Sequence, residues 1–192
     1  RNSIDFITVA ENLNKIRAFK SYGKNAKMIY FGINHDFFSR GNANKVIKKF
    51  NLKNKFVIIQ SGIISEPRGQ LNSVKAIEKV KDKIPNVFLI LTGREESEYR
   101  KKINDYIKDK KLEKFVFFAG NLPKREELRD LYKASKIGLF PIGGQGGVLA
   151  PYEMLCAGTP IIISEDMETA QMTRENNLGI VTKEYDKALL EI

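Results

Sequence analysis

One cysteine and one histidine are all that this 192-residue sequence holds of the residues most used for disulfides, proton transfer and transition-metal binding. The lone Cys156 excludes an internal disulfide, and its apolar helical surroundings read as a small buried hydrophobe in a reducing compartment. A single imidazole, on His35, makes a Ser-His-Asp triad hard to build. One His, one Cys and acids such as Glu165 and Asp166 make no convincing ligand set, and no D-x-D stands in a suitable loop, so no metal site is expected. No apolar run approaches the roughly 20 residues of a transmembrane helix, and no signal-peptide pattern opens the chain. These absences lead to the expectation of a soluble, cytoplasmic protein.

What is present is a globular composition, 42% hydrophobic and long enough for one domain with a sizeable core. Lysine and arginine number 33 against 23 acids, a net charge of +10. The basic residues are spread over every predicted helix rather than gathered in one stripe, which favours compositional bias first. Attraction of a parent protein to the inner face of a membrane comes second, and nucleic acid last. The chain starts at Arg1 and stops on a helix-like stretch at 186–192, which reads as a piece of something longer.

From residue 56 on, short β-branched and aromatic runs at 56–60, 87–91, 116–119, 137–140, 160–164 and 179–181 read as strands. Amphipathic stretches at 70–81, 96–110, 124–133, 151–157 and 168–175 read as helices, with Gly158 and Gly179 placed as helix-ending glycines. Such alternation predicts a Rossmann-like, doubly wound parallel α/β sheet of about six strands with helices on both faces. Ligands in such sheets bind beyond the carboxyl ends of the strands, where the strand order reverses. Earlier, the chain reads as a strand at 6–9, a helix at 12–22 and a strand at 27–30.

The loops after the strands therefore carry the candidate chemistry. Gly143-Gly144-Gln145-Gly146-Gly147-Val148 precedes a helix that Pro151 is expected to open, so bare amides of Gly146, Gly147 and Val148 can approach a diphosphate. Glu153, expected as about the third helical residue, is placed to accept from the two hydroxyls of a ribose; an acid that merely complements the helix dipole is the alternative. Gly62 to Gly69 follows the first core strand, and Arg68 there is either an anion-holding cation or a solvated surface charge. Asn121 and Leu122, after another strand, read as a plain turn before Pro123. Arg94 reads as a surface charge or a second cation.

The run Q-G-G-V-L-A-P-Y-E-M-L-C-A-G-T-P, from Gln145 to Pro160, resembles the E-G-F-G-L-x-x-L-E-A-M-A-C-G-T-P stretch of the retaining glycosyltransferases of family 4. These are GT-B enzymes, built from two Rossmann-like halves. The segment 62–69 is similar to their G-R-L-x-x-x-K-G, the run F-A-G-N-L to their F-x-G-x-v, and Y-F-G-I-N-H-D-F-F to the I-P-N-G-V-D-x-x-x-F that joins the halves. The resemblance covers nearly the whole chain. It implies that residues 1–38 end an acceptor domain and its linker, where His35 makes an interdomain contact. Residues 39–192 would then be a C-terminally incomplete domain that binds a nucleoside diphosphate sugar, with no cofactor. In that scheme Gly62, Arg68 and the amides from Gly146 to Val148 hold the diphosphate, Glu153 the ribose, Asn121 and Leu122 the base, and Gln145 the transferred sugar. Arg68 and Gln145 are the catalytic candidates of a hexosyltransferase-type reaction, with the isolated chain inactive.

Two departures stand out. Ile63 replaces a family arginine, and Gln145 replaces a glutamate, which keeps an acceptor and loses a negative charge. The alternatives are therefore a non-catalytic nucleotide-binding or scaffold domain, a sugar-nucleotide epimerase or a sugar-phosphate synthase. The base, the sugar and the acceptor, whether sugar, lipid or protein, are left open.

Overall fold

The computed structural model describes residues 6–10, 12–29, 31–143 and 148–192. In chain order it begins with β1 (Thr8–Val9), α1 (Asn12–Tyr22), β2 (Lys27–Met28), α2 (His35–Ser39) and α3 (Ala43–Lys49). Then follow β3 (Phe56–Ser61), α4 (Gln70–Val80), β4 (Val87–Thr92), α5 (Ser97–Asp109), β5 (Val116–Gly120) and α6 (Arg125–Ala134). The chain continues through β6 (Ile137–Phe140), α7 (Leu149–Cys156), β7 (Ile161–Ile163), α8 (Ala170–Glu175), β8 (Gly179–Val181) and α9 (Tyr185–Leu190). A 3-10 turn, Glu66–Arg68, sits between β3 and α4.

The six strands from β3 onward form one parallel sheet in the order β5-β4-β3-β6-β7-β8, the doubly wound α/β architecture expected. The two-residue period of a strand divides its side chains between two cores. Ile58, Leu89, Leu91, Leu139 and Ile162 point to one, where Val74 and Ile77 of α4, Ile103 of α5 and Leu189 of α9 cover them. Val57, Ile59, Ile90, Phe140 and Ile163 point to the other, packed on Val46 of α3, Leu131 and Tyr132 of α6 and Met154 of α7. Burial on both faces explains why these strands are runs of branched residues rather than an alternation with polar ones. Each fully buried isoleucine or leucine contributes about 1.5–3 kcal/mol.

Helices α2 and α3 were not expected. In α3 only Val46 and Ile47 among A-N-K-V-I-K-K are large and apolar, too few to set a helical period. It forms because Asn42 caps it, accepting from the Asn44 amide at 3.0 Å, and because it docks on α6. There the Asn42 amide donates to Asp130 Oδ1 at 2.9 Å, and Lys49 pairs with Glu127. Asn34 caps α2 in the same way, accepting from Phe37 N at 2.9 Å, and Phe38 is fully buried in the core that α6 and α7 share. Gly179 also departs from expectation. The left-handed residue after α8 is Asn177, at φ 52°, whereas Gly179 starts β8, where a Cβ would run into the Ile161 carbonyl.

The short parallel pair β1–β2 forms its own sheet, linked through α1. Around it Phe6, Ile16, Phe19, Tyr22, Ile29 and Phe31 are between 51% and 64% exposed, an apolar surface that two strands and one helix do not cover. No helix among the described residues is long and apolar enough to cross a membrane.

Candidate functional site

Strands β3 and β6 lie side by side in the sheet, yet α4 and α7, the helices that follow them, pack on opposite faces. That reversal opens a crevice beyond the carboxyl ends of the strands. A cleft of about 250 Å³ occupies part of it, walled by Ser61, Gly62 and Ile63 after β3, Thr92, Gly93 and Arg94 after β4, and Asn121, Leu122 and Leu128 beyond β5. Gly62, Asn121 and Leu122, three of the expected residues, thus come together. Arg94 is exposed at the rim, and Ile63 is 37% exposed in the wall, where the resemblance has an arginine.

The loop after β3 is held from below by buried amides. Gln60 Nε2 donates to the Arg68 carbonyl at 2.7 Å while its Oε1 accepts from Ser73 Oγ at 2.6 Å. Gln70 Nε2 donates to the Ile63 carbonyl at 2.9 Å. Gly69, at φ 70°, turns the chain from the 3-10 turn into α4, and a Cβ there would strike the Pro141 carbonyl. The loop carrying Arg68 therefore lies against the segment leaving β6, on which Glu153 follows. Arg68 Nη1 is buried without a hydrogen-bond partner among the described residues. A guanidinium nitrogen removed from water and left unpaired is destabilising until an anion meets it.

Glu153 is 8% exposed. Its Oε1 accepts from Arg125 Nη2 at 2.8 Å, and its Oε2 from the Tyr132 hydroxyl at 3.3 Å. That hydroxyl shares a 2.6 Å bond with Ser61 Oγ; because it donates to the carboxylate, it accepts from the serine. A relay thus runs from the end of β3 through α6 to α7. Burial, and then the Glu153 carboxylate beside it, push the Tyr132 hydroxyl far above the ordinary phenol range. Burial raises the Cys156 thiol as well, with Glu153 adding to it; Cys156 is half-buried rather than fully enclosed.

Glu153 is the fifth residue of α7 rather than the third, since the helix starts at Leu149 and Pro151 stands third in it. The first helical amides have no partner within the helix, so proline is tolerated at that position as well as at the first. Val148 precedes α7 in extended conformation, its side chain against the core. Gln145, Gly146 and Gly147 lie outside the described residues. His35 is exposed on α2, 3.6 Å from Asp36. No group of three or more His, Cys, Asp or Glu suited to a metal occurs among the described residues.

The sequence reading missed Ser61, Arg125 and Tyr132. Arg125 and Tyr132 are seven positions apart on α6, hence on one helical face, the one signal that groups them. Nothing in the sequence ties that face to Glu153.

No curated protein matches the chain in sequence. Solved structures match its fold. Anabaena HepE in complex with UDP-glucose superposes with a TM-score of 0.84 at 18% identity, over 96% of this chain and 52% of HepE. A glycosyltransferase from Rickettsia africae gives 0.81 at 18% identity, over 97% of this chain and 51% of that one. The C-terminal domain of LpcC, a group 1 glycosyl transferase family protein of Francisella tularensis, gives 0.70 at 17%, over 79% and 80%. The chain thus spans about half the length of the first two, and its architecture is that of one domain of GT-B glycosyltransferases. The model of the glycosyl transferases group 1 family matches residues 42–191, and the chain belongs to that family.

Proposed function

We propose that the chain is the donor-binding half of a retaining, family 4-type glycosyltransferase that moves a hexose from a nucleoside diphosphate sugar to an acceptor. The observation that carries this reading is the buried Glu153 carboxylate at the switch point, held by donors on both oxygens and connected to the wall of the cleft through Tyr132 and Ser61. In this reading Glu153 takes the ribose hydroxyls, the cleft beside Asn121 and Leu122 takes the base, and Arg68 meets the diphosphate. The transferred sugar is assigned to Gln145, and the diphosphate also to the amides of Gly146, Gly147 and Val148. HepE, recorded with UDP-glucose, makes a uridine nucleotide the first donor to test.

The bond that breaks joins the anomeric carbon to the diphosphate, and negative charge grows on the departing oxygen. A charged hydrogen bond there is worth about 1.5–3 kcal/mol, or one to two decades in rate. Arg68 is the described cation whose unpaired nitrogen suits that task. Residues 1–38 fit the end of an acceptor domain: further strands beside β1–β2 would cover the exposed apolar side chains around them. The acceptor then binds to that other half.

A thermal-shift panel of UDP-, GDP- and ADP-glucose tests the reading. Binding to the native state alone adds about 2.7 kcal/mol of stability at a hundredfold excess over Kd. One nucleotide should raise Tm in the wild type and none in Glu153→Gln; an unchanged response in that variant, or none in the wild type, refutes the assignment. Ile63 in the cleft wall favours a second reading, a domain that binds donor without transfer. Turnover of the bound donor by the full-length protein excludes it.

A further inference from the structure

We infer that Arg125 is a positioning residue for ribose recognition, setting the Glu153 carboxylate so that one free acceptor site remains on each oxygen. The inference rests on the ribose role proposed for Glu153. An ionised carboxylate offers about four lone-pair sites, two on each oxygen. Arg125 Nη2 fills one on Oε1 at 2.8 Å, and the Tyr132 hydroxyl fills one on Oε2 at 3.3 Å. Among the described residues two sites remain, one on each oxygen, a match for two vicinal hydroxyls that each donate one hydrogen.

The two donors come from one helix, two turns apart, so the carboxylate plane is gripped from both edges by a single rigid element. The Tyr132 side of the grip is fixed, because its hydroxyl is tied to Ser61 Oγ at 2.6 Å. The Arg125 side is held differently. Its side chain is 61% exposed, and its guanidinium lies 5.3 Å from the ring centre of Phe38 and 5.9 Å from that of Phe37 on α2. Those rings limit where the guanidinium sits. Without Arg125 the carboxylate keeps, among the described residues, only its longer bond, can turn about its last side-chain torsion, and no longer presents one acceptor to each hydroxyl.

The test compares affinities within each variant of the full chain, using UDP, GDP and ADP with their 2′-deoxy counterparts and reading the ratio of ribo- to deoxyribonucleotide Kd for the tightest pair. The wild type should favour the ribonucleotide. Arg125→Ala should weaken it about tenfold, a charged hydrogen bond discounted for exposure, and bring the ratio to that of Glu153→Gln. Arg125→Lys should restore part of it, and Arg125→Ala added to Glu153→Gln should change nothing further. Because each ratio is internal to one variant, a loss of stability does not distort it. If Arg125→Ala weakens both nucleotides equally and keeps the wild-type ratio, the guanidinium acts elsewhere and the inference is overturned. If the wild type itself does not distinguish ribose from deoxyribose, the assignment of Glu153 to ribose falls and this inference with it.

Discussion

Replacing Tyr132 by phenylalanine removes one oxygen and leaves two buried polar groups short of a partner. The ring keeps its packing on Phe38, 6.1 Å away between centres, so the cost is polar rather than volumetric. Ser61 loses the acceptor it reaches at 2.6 Å, and Glu153 Oε2 loses a donor at 3.3 Å. An unmade buried hydrogen bond costs about 1–3 kcal/mol, and the longer bond belongs at the low end, so a total of about 2–4 kcal/mol is expected. For a chain of this size that is a fall in Tm of roughly 5–15 °C, or an equivalent shift in urea midpoint at unchanged slope. The loss should also depend on pH in a definite direction. The folded-state pKa of Tyr132 is raised, so the folded protein holds this proton more tightly than the unfolded chain. The stabilisation is complete below the unfolded value near 10 and is lost as pH rises above it. By pH 11 the wild type should therefore have lost on the order of 1 kcal/mol that the phenylalanine variant never had, and the gap between them should narrow. Urea titrations at pH 8 and pH 11 measure both quantities. A gap below about 1 kcal/mol at pH 8, or one that stays constant to pH 11, refutes the relay.

Arg68→Met removes a buried guanidinium nitrogen that has no partner among the described residues, so without ligand the variant should be as stable as the wild type or more so. The same change should weaken diphosphate nucleotide binding about tenfold to a hundredfold; destabilisation of the unliganded chain by more than about 1 kcal/mol in urea would instead make Arg68 a structural anchor. Gly69→Ala places a Cβ at φ 70° and against the Pro141 carbonyl, a backbone atom that cannot swing aside. The left-handed conformation alone costs about 1–2 kcal/mol, so a loss above 2 kcal/mol in chemical denaturation is expected, and one below 1 would mean that the two loops are not in contact.

The sheet was legible because burial on both faces demands runs such as Phe56 to Gln60 and Val87 to Leu91, which no amphipathic helix imitates. Its strands fall within one or two residues of where those runs lie. Helix α3 was not legible, since a segment that contributes Val46 and Ile47 and little else is made helical by its dock on α6 rather than by its own pattern. Asn42 and Asn34, both side-chain caps in the structure, were the available signs of α3 and α2. At the site, the residue types that approach a phosphate or a ribose were readable loop by loop. The partners of Glu153 were not: Arg125 is 28 positions from it and Tyr132 is 21, while Ser61 is 71 from Tyr132. Such distances in sequence are closed only by the sheet order.

That order gives α6 a role beyond covering the sheet. Connecting β5 at one edge to β6 past the centre, it must cross to the second face just where the crevice opens. One stripe of it, Arg125, Leu128 and Tyr132, runs from the guanidinium beside α2, through the wall of the cleft, to the hydroxyl that joins Ser61 to Glu153. Other positions fasten its surroundings: Asp130 accepts from the Asn42 amide ahead of α3, and Lys133 Nζ donates to the Ala157 carbonyl at the end of α7, at 2.9 Å each. Helices α3 and α7 are therefore both referenced to α6. A rigid shift of α6 along its axis would move the cleft wall, the grip on the carboxylate and the anchorage of both neighbours together, so the geometry of the site depends on this helix.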